Sequence, residues 1–419
     1  MPDYWKIYKL SDVIISANTG LDAIKRAPIV DEDTGIKCLR IQDVSQVKEF
    51  KNWGFTQVSP ENYKKFSLKE GEIIIARTGN TIGVNMFIKN DVKSVFNNGL
   101  IRIRINKNIC DPKYVYYNFR TNIFKAYIDS IAFGTSTQPN MQINSLLSFD
   151  FFVPPLQEQK AIASILSALD DKIEMNLQMN KTLEEMAMAL YKHWFVDFGP
   201  FQNGNFVESE LGMIPEGWEV NKIGDVIETL GGGTPSTSEN KYWENGDILW
   251  YSPTDLTREK SLFSFETAKK ITPLGLQKSS AKMLPPYSLL MSSRATIGLL
   301  TINTQPACTN QGFITMLPNN KLSIYQLYFW VKQNQDLIIS KSNGSTFKEI
   351  SKSSFRDLDV IIGKEIDSYL KETKDIFNHI ENNIEENQTL TTLRESLLPK
   401  LISGEVSVKD AEQTLIASL

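Results

Sequence analysis

The chain has 419 residues, 41% of them hydrophobic and 22% charged, with a formal net charge of −4 at pH 7. That length is too great for one ordinary core and, at roughly 150 residues per domain, predicts two or three units. No run of about 18 apolar residues crosses a bilayer and no apolar leader follows a basic start, so a membrane partner is excluded and the cytoplasm is the expected location.

In chain order, the β-branched and aromatic runs EIIIA, LIRIRI and FDFFV, separated by Gly, Asn and Pro, read as short strands of a first domain, 1–153. YVYYNFRTNIFKAYI has helical spacing. Pro154 and Pro155 close that domain and feed a helix running to about Phe195 with no interior Pro or Gly, giving a helical spacer over 154–200. After Gly199 the linker PFQNGNFVESELGMIPEGW resets the chain for a second domain, 201–362, in which YQLYFWVKQNQDLII is helical. A second long helix is predicted from about Lys364 to Leu398, ended by Pro399 and Gly404, within a second spacer and tail over 363–419. The negative charge sits mostly on the helices. Residues 1–155 carry 20 Lys and Arg against 15 Asp and Glu, and 201–362 carry 15 against 16, whereas 156–200 carry 4 against 7 and 363–419 carry 6 against 11. Basic to neutral domains permit local cationic faces.

The chain repeats itself, and a repeat fixes architecture before any motif is weighed. DYWKIYKLSDVI (3–14) aligns with EGWEVNKIGDVI (216–227), matching Trp5 to Trp218 and Asp12 to Asp225. RTGNTIG (77–83) pairs with RATIG (294–298) after a two-residue deletion, and FNNG (96–99) pairs with TNQG (309–312). GTST (134–137) answers GSTF (344–347), and LLSFDFFV answers FRDLDVII before each helix.

The helices match as well. The first presents the stripe Leu166, Leu169, Ile173, Asn176, Asn180, Leu183, Ala187, Leu190, Trp194, and the second repeats Ile380, Asn383, Asn387 and Leu390 at the positions of Ile173, Asn176, Asn180 and Leu183. Two matching stripes, one after each domain, predict an antiparallel, coiled-coil-like pair with pseudo-twofold symmetry. Asn in such a seam lowers stability but disfavours slipped registers, because only one alignment lets the amides bond to each other. The alternative is that the amides lie at the seam's edge in water. A helix of some 40 residues is about 60 Å long, and two heads held apart by such rods fit DNA half-sites roughly 34 Å apart. The expected class is α+β, with two similar domains separated by two long antiparallel helices.

Enzymatic readings find little material. Cys38, Cys110 and Cys308 have no CxxC spacing, and the only histidines, His193 and His379, fall on the long helices, so neither a metal site nor a catalytic residue is expected. LPPY (284–287) lacks the leading Asn or Asp that would hold a target amino group and reads as a turn. GGGTPSTS (231–238) lacks the GK[ST] ending of a phosphate loop. Asp150 followed by Glu158 and Lys160 imitates a magnesium-dependent D…ExK nuclease, yet a glutamate opening a helix serves the helix dipole.

Trp-x(4–5)-[Leu/Ile]-x-Asp at each repeat start, RTGNTIG and RATIG, GTSTQPNMQINSLLSFDFFVPPLQEQKAIA and the long helix ending near LYKHWFVDF together resemble the specificity (S) subunits of type I restriction-modification systems over essentially the whole chain. The second half departs from the pattern by lacking PPLxEQ. The resemblance implies two target-recognition domains, each reading half of a bipartite site in double-stranded DNA, and helices that set the spacing. It implies two methyltransferase (M) subunits docked on the scaffold, methylating adenine N6 with S-adenosylmethionine, and restriction (R) subunits adding ATP- and magnesium-dependent cleavage. This subunit would then bind no cofactor and catalyse nothing. A D…ExK nuclease and a scaffold without DNA affinity are the rival readings.

Arginine grips guanine through O6 and N7, and Asn or Gln grips adenine through N6 and N7. The candidate DNA contacts are therefore Arg77, Thr78, Asn80, Asn97, Asn98, Thr137, Gln138 and Asn140 in the first domain. In the second they are Arg294, Thr296, Asn310, Gln311, Ser345, Thr346 and Lys348. Pieces shared by both halves are read as structural, with specificity in the residues that differ.

Overall fold

The computed structural model describes residues 2–132, 140–344 and 348–418. The α+β chain divides into two units, Met1–Ile173 with Thr389–Leu419, and Glu174–Gln388.

In the first unit the strands are β1 (Lys6–Lys9), β2 (Ile14–Thr19), β3 (Ile29–Val30), β4 (Lys37–Leu39), β5 (Gly54–Thr56), β6 (Ile73–Ala76), β7 (Asn85–Phe87), β8 (Ser94–Phe96), β9 (Leu100–Ile105) and β10 (Asp150–Val153). They form sheets β2-β9-β6-β7, β3-β5-β4-β8 and β1-β10. All four residues of β6 are buried because both faces are covered. With the two-residue period of a strand, Ile73 and Ile75 join Ile101, Ile103 and Tyr114 in one core, while Ile74 and Ala76 join Leu39, Val95 and Phe96 in another. The aromatic stretch after Cys110 makes two helices, Pro112–Asn118 and Asn122–Ala132. Asp111 starts the first, its carboxylate accepting from the Lys113 and Tyr114 amides.

The second unit contains β11 (Phe206–Ser209), β12 (Gly212–Pro215), β13 (Glu219–Lys222), β14 (Glu228–Leu230), β15 (Ile248–Tyr251), β16 (Phe263–Ser264), β17 (Lys269–Ile271), β18 (Leu289–Ser292), β19 (Leu300–Asn303), β20 (Ala307–Thr309), β21 (Phe313–Leu317) and β22 (Asp359–Ile362). Beyond the hairpin β11-β12, its sheets β14-β21-β18-β19-β16, β17-β15-β20 and β13-β22 follow the first unit's plan, with five and three strands in the larger sheets where that unit has four and four. The registers repeat as well. Lys6 to Lys9 face Val153 to Asp150, and Glu219 to Lys222 face Ile362 to Asp359. Leu10 N donates to Phe149 O at 2.8 Å, as Ile223 N does to Leu358 O at 2.8 Å. The parallel pair β4-β8 recurs as β15-β20.

The first long helix is Leu156–Phe195. Gln159, almost fully buried, fastens its start: its amide nitrogen donates to Pro154 O at 2.8 Å and its oxygen accepts from Asp111 N at 2.8 Å. The second is Asp367–Ser403, which starts later than expected and runs through Pro399. Proline inside a helix costs about 3 kcal/mol, but Leu397, Leu398, Leu401 and Ile402 are buried in the core of the first unit, and their packing outweighs the lost hydrogen bond. The helix stops before Gly404, whose φ of +68° is the left-handed C′ conformation. The tail is itself helical over Val408–Ser418, started by Ser407, whose hydroxyl accepts from Asp410 N.

Within each unit the two helices run antiparallel. In the first, Leu166 and Leu169 share a core with Leu390, Leu397 and Leu401. In the second, Ala187, Tyr191 and Phe195 share one with Tyr369, Phe377 and Ile380. The fully buried stripe passes through Tyr191 and Phe195, while the expected Leu190 and Trp194 are half-buried and pack against the same core. A straight helix of 3.6 residues per turn drifts away from a 3.5-residue repeat, and the drift brings the next residue inward.

Candidate nucleic-acid interface

Three segments of the first unit meet where β6 ends. Arg77 N donates to Gly99 O at 2.9 Å and Met141 N donates to Arg77 O at 2.8 Å. Thr78 faces Asn140 across an antiparallel bridge. The Arg77 guanidinium donates to Asn140 Oδ1 at 3.0 Å, while its buried Nε has no partner. Asn97 and Asn98 are pinned through their backbone amides to Leu39 O and Leu21 O at 3.0 and 2.8 Å, and Asn80 is exposed in the turn after β6.

The second unit builds the same edge. Ser293 N donates to Gly312 O at 2.8 Å and Ile350 N to Ser293 O at 3.0 Å; Asn310 N donates to Tyr251 O at 2.9 Å. Arg294 faces Glu349 across the bridge. These bonds correct the pairing of Arg77 with Arg294: Arg77 corresponds to Ser293, and Arg294 to Thr78. A one-residue slip along an extended segment turns a side chain to the other face, so the two arginines serve different surfaces. The Arg294 side chain lies over Gly312, where a Cβ would stand 2.8 Å from its Nε.

The other candidates divide by what holds them. Asn310 Oδ1 accepts from Gly312 N at 2.8 Å, an internal turn bond. Gln311 is exposed and accepts from the Thr234 hydroxyl at 2.6 Å. Thr234 belongs to the glycine-rich loop, in which a Cβ on Gly232 would stand 2.1 Å from Thr309 O, so close approach to β20 requires glycine there. Thr296 and Lys348 are exposed. Thr137, Gln138, Ser345 and Thr346 lie outside the described residues.

On the helices, Asn176 donates to Asn387 Oδ1 at 2.9 Å and to Glu386 at 2.7 Å, and Asn383 donates to Asn180 Oδ1 at 2.8 Å. Asn176 is buried and the other three amides are half-buried. Because Asn176 and Asn383 are repeat equivalents, as are Asn180 and Asn387, each pair is the pseudo-twofold image of the other. Ile173 and Leu183 flank the amides on the first helix, Ile380 and Leu390 on the second, and of these Ile380 and Leu390 are buried.

An ion network that sequence reading missed binds the first domain to its helices. Asp170 accepts from Arg120 at 2.7 Å, from Arg394 at 2.7 Å and from the Tyr117 hydroxyl at 2.8 Å. Burial, then the Asp170 charge, pushes the Tyr117 hydroxyl far up, keeping it a donor. In the second unit Tyr328 donates to Glu184 at 2.7 Å and Lys332 pairs with the same carboxylate. The only sequence signal was a helical Tyr with a basic residue about one turn later, opposite an acidic residue on the long helix.

Of the three residues of the nuclease reading, one has a side-chain partner in the fold. Asp150 is an exposed strand residue in register with Lys9, and Glu158 accepts from the Tyr4 hydroxyl at 3.2 Å. Among the described residues no three His, Cys, Asp or Glu side chains are grouped to hold a metal ion, and no helix is long and apolar enough to cross a membrane. The three thiols are buried, and burial pushes them up to about 12, 12 and 11 for Cys38, Cys110 and Cys308.

The model of the type I restriction modification DNA specificity domain matches the chain twice, over residues 2–185 and 215–391. The chain is 27% identical to the type I restriction enzyme HindI specificity subunit of Haemophilus influenzae, covering 96% of this chain and 99% of that one. It is 28% identical to the MjaIX specificity subunit of Methanocaldococcus jannaschii, covering 85% and 83%. The crystal structure of a type I restriction-modification S subunit from M. genitalium shares the fold, with a TM-score of 0.61 at 18% identity over 95% of this chain and 96% of that one.

Proposed function

The chain belongs to the type I restriction modification DNA specificity family, and from that premise we propose that each of its two domains reads one half of a bipartite site in double-stranded DNA. The paired helices set the gap between the half-sites and carry the methyltransferase subunits. The observation that carries this reading is the duplicated edge at Thr78–Asn140 and Arg294–Glu349: one backbone framework presenting different side chains, as two half-sites of different sequence require.

The chemistry belongs to the partners. Two M subunits with S-adenosylmethionine methylate one adenine N6 on each strand after flipping the base out, and R subunits, where present, bring ATP- and magnesium-dependent cleavage. The part of this chain, without a cofactor of its own, is to bind, to orient and to hold register, in the cytoplasm with the DNA. Met175, Met179 and Met186 stand exposed on the first long helix at helical spacing, an adaptable apolar face suited to a partner helix.

Methylome sequencing of cells expressing the chain with its M partner tests the proposal. The expected product is an asymmetric motif of two short blocks with a gap of fixed length. A contiguous motif, or methylation indifferent to gap length, refutes it. In vitro, binding by the assembled complex should weaken steeply as salt rises, because phosphate contacts release counterions.

A further inference from the structure

We propose that Arg294 and Glu349 form the specificity-determining pair of the second domain and read one G·C base pair in its half-site. The inference rests on the reading of two DNA half-sites and names what one of them contains.

The two edges share three backbone bonds at matching positions, so side chains set them apart. At the bridge the first domain has Thr78 opposite Asn140, and the second has Arg294 opposite Glu349. Residues directly opposite on an antiparallel pair have Cβ atoms about 5 Å apart, close enough for opposite charges to join. Arg294 and Glu349 do not. Among the described residues neither side chain makes an ion pair or a side-chain hydrogen bond. Arg77, in contrast, is tied to Asn140. The second domain thus presents an unused guanidinium fork beside an unused carboxylate. Arg294 is half-buried and Glu349 exposed, and the missing Cβ of Gly312, with Pro253 against the same glycine, gives the guanidinium a fixed seat.

The pairing of charges selects the target. A lone arginine would suit a phosphate, but a carboxylate at its side is repelled by the phosphate chain. Base edges in the major groove suit both groups: the arginine fork donates to guanine O6 and N7, and the carboxylate accepts from cytosine N4. Separation across one bridge matches two bases of one pair. In the first domain, Asn140 already accepts from Arg77, so that edge reads a different base.

The test uses the complete complex with its M partner and compares methylomes for the wild type, Arg294→Ala, Arg294→Lys and Glu349→Gln. The wild-type motif should contain a fixed G·C pair in one half-site. Arg294→Ala and Arg294→Lys should each relax that position by about 5- to 150-fold, the discrimination of one bidentate contact, because lysine keeps the charge but loses the fork. The other half-site should stay unchanged, which shows that the variants fold and assemble. Glu349→Gln should loosen the same position. A uniform fall in methylation with the motif intact overturns the inference and makes Arg294 a phosphate contact, leaving the two-half-site reading standing. A wild-type complex that yields no bipartite motif overturns both.

Discussion

Replacing Asp170 with asparagine keeps its volume and removes the charge that two guanidiniums share. Asp170 is 20% exposed, Arg394 14% and Arg120 26%. Removing one member of a fully buried pair costs about 3–5 kcal/mol, and exposed pairs contribute about 0–1 kcal/mol. Partial screening places Asp170→Asn between these limits, at about 2–3 kcal/mol, including the weakened bond from Tyr117. Urea titration of the wild type, Asp170→Asn, Arg394→Met and the double variant forms a thermodynamic cycle. The double variant should lose at least about 1 kcal/mol less than the sum of the single losses, because each single change strands a partner. Because Arg120 belongs to the first domain and Arg394 to the second long helix, the same variant should loosen the seating of that domain and broaden the gap lengths that are methylated. Additivity within about 0.5 kcal/mol would refute the coupling.

Replacing Asn176 and Asn387 together with leucine, and Glu386 with glutamine so that no carboxylate loses its donor, removes both partners of a seam hydrogen bond, which is neutral or stabilising when apolar groups fill the space. The thermal midpoint should hold or rise while methylation spreads to neighbouring gap lengths; a lower midpoint with an unchanged gap would argue that the amides serve stability alone. The thiols supply a pH prediction. With folded values raised to about 12, 12 and 11, buried Cys38, Cys110 and Cys308 stay neutral where unfolded thiols, near about 8.5, ionise. Stability is therefore indifferent to them at neutral pH and falls as pH rises past about 9. Native protein should react with a thiol reagent only as fast as it unfolds; stoichiometric labelling without unfolding would contradict their burial.

Much of the fold was legible because the duplication left identical residues at ladder positions: aligning Trp5 with Trp218 and the strand before each helix already contains the registers of β1-β10 and β13-β22. The seam asparagines were legible for the same reason. Other features arise from forces that a residue pattern does not carry. The correspondence of Arg294 with Thr78 is set by backbone bonds, which carry no residue identity, and a loop of different length lets like residues align out of register. Helix continuity through Pro399 depends on burial of Leu401 and Ile402 against residues nearly the whole chain away. Gln159 stood in the PPLxEQ motif, but its role was hidden, since Asp111, whose amide it accepts from, reaches it only in the fold. The tail helix did carry a signal, the serine and aspartate spacing at Ser407 and Asp410, which is a helix start.

The first unit takes its core from both ends of the numbering: Ile73, Ile101 and Leu166 are buried with Leu401, Ile402 and Ala411. A ribosome that has delivered residues up to 388 has therefore released everything the second unit needs, whereas the unit begun first still has an open apolar socket. The unit whose synthesis begins first is therefore the one whose residues are completed last. Until residues 389–418 are made that socket stays open, and a chain stopped before Thr389 should aggregate instead of yielding a half-active fragment.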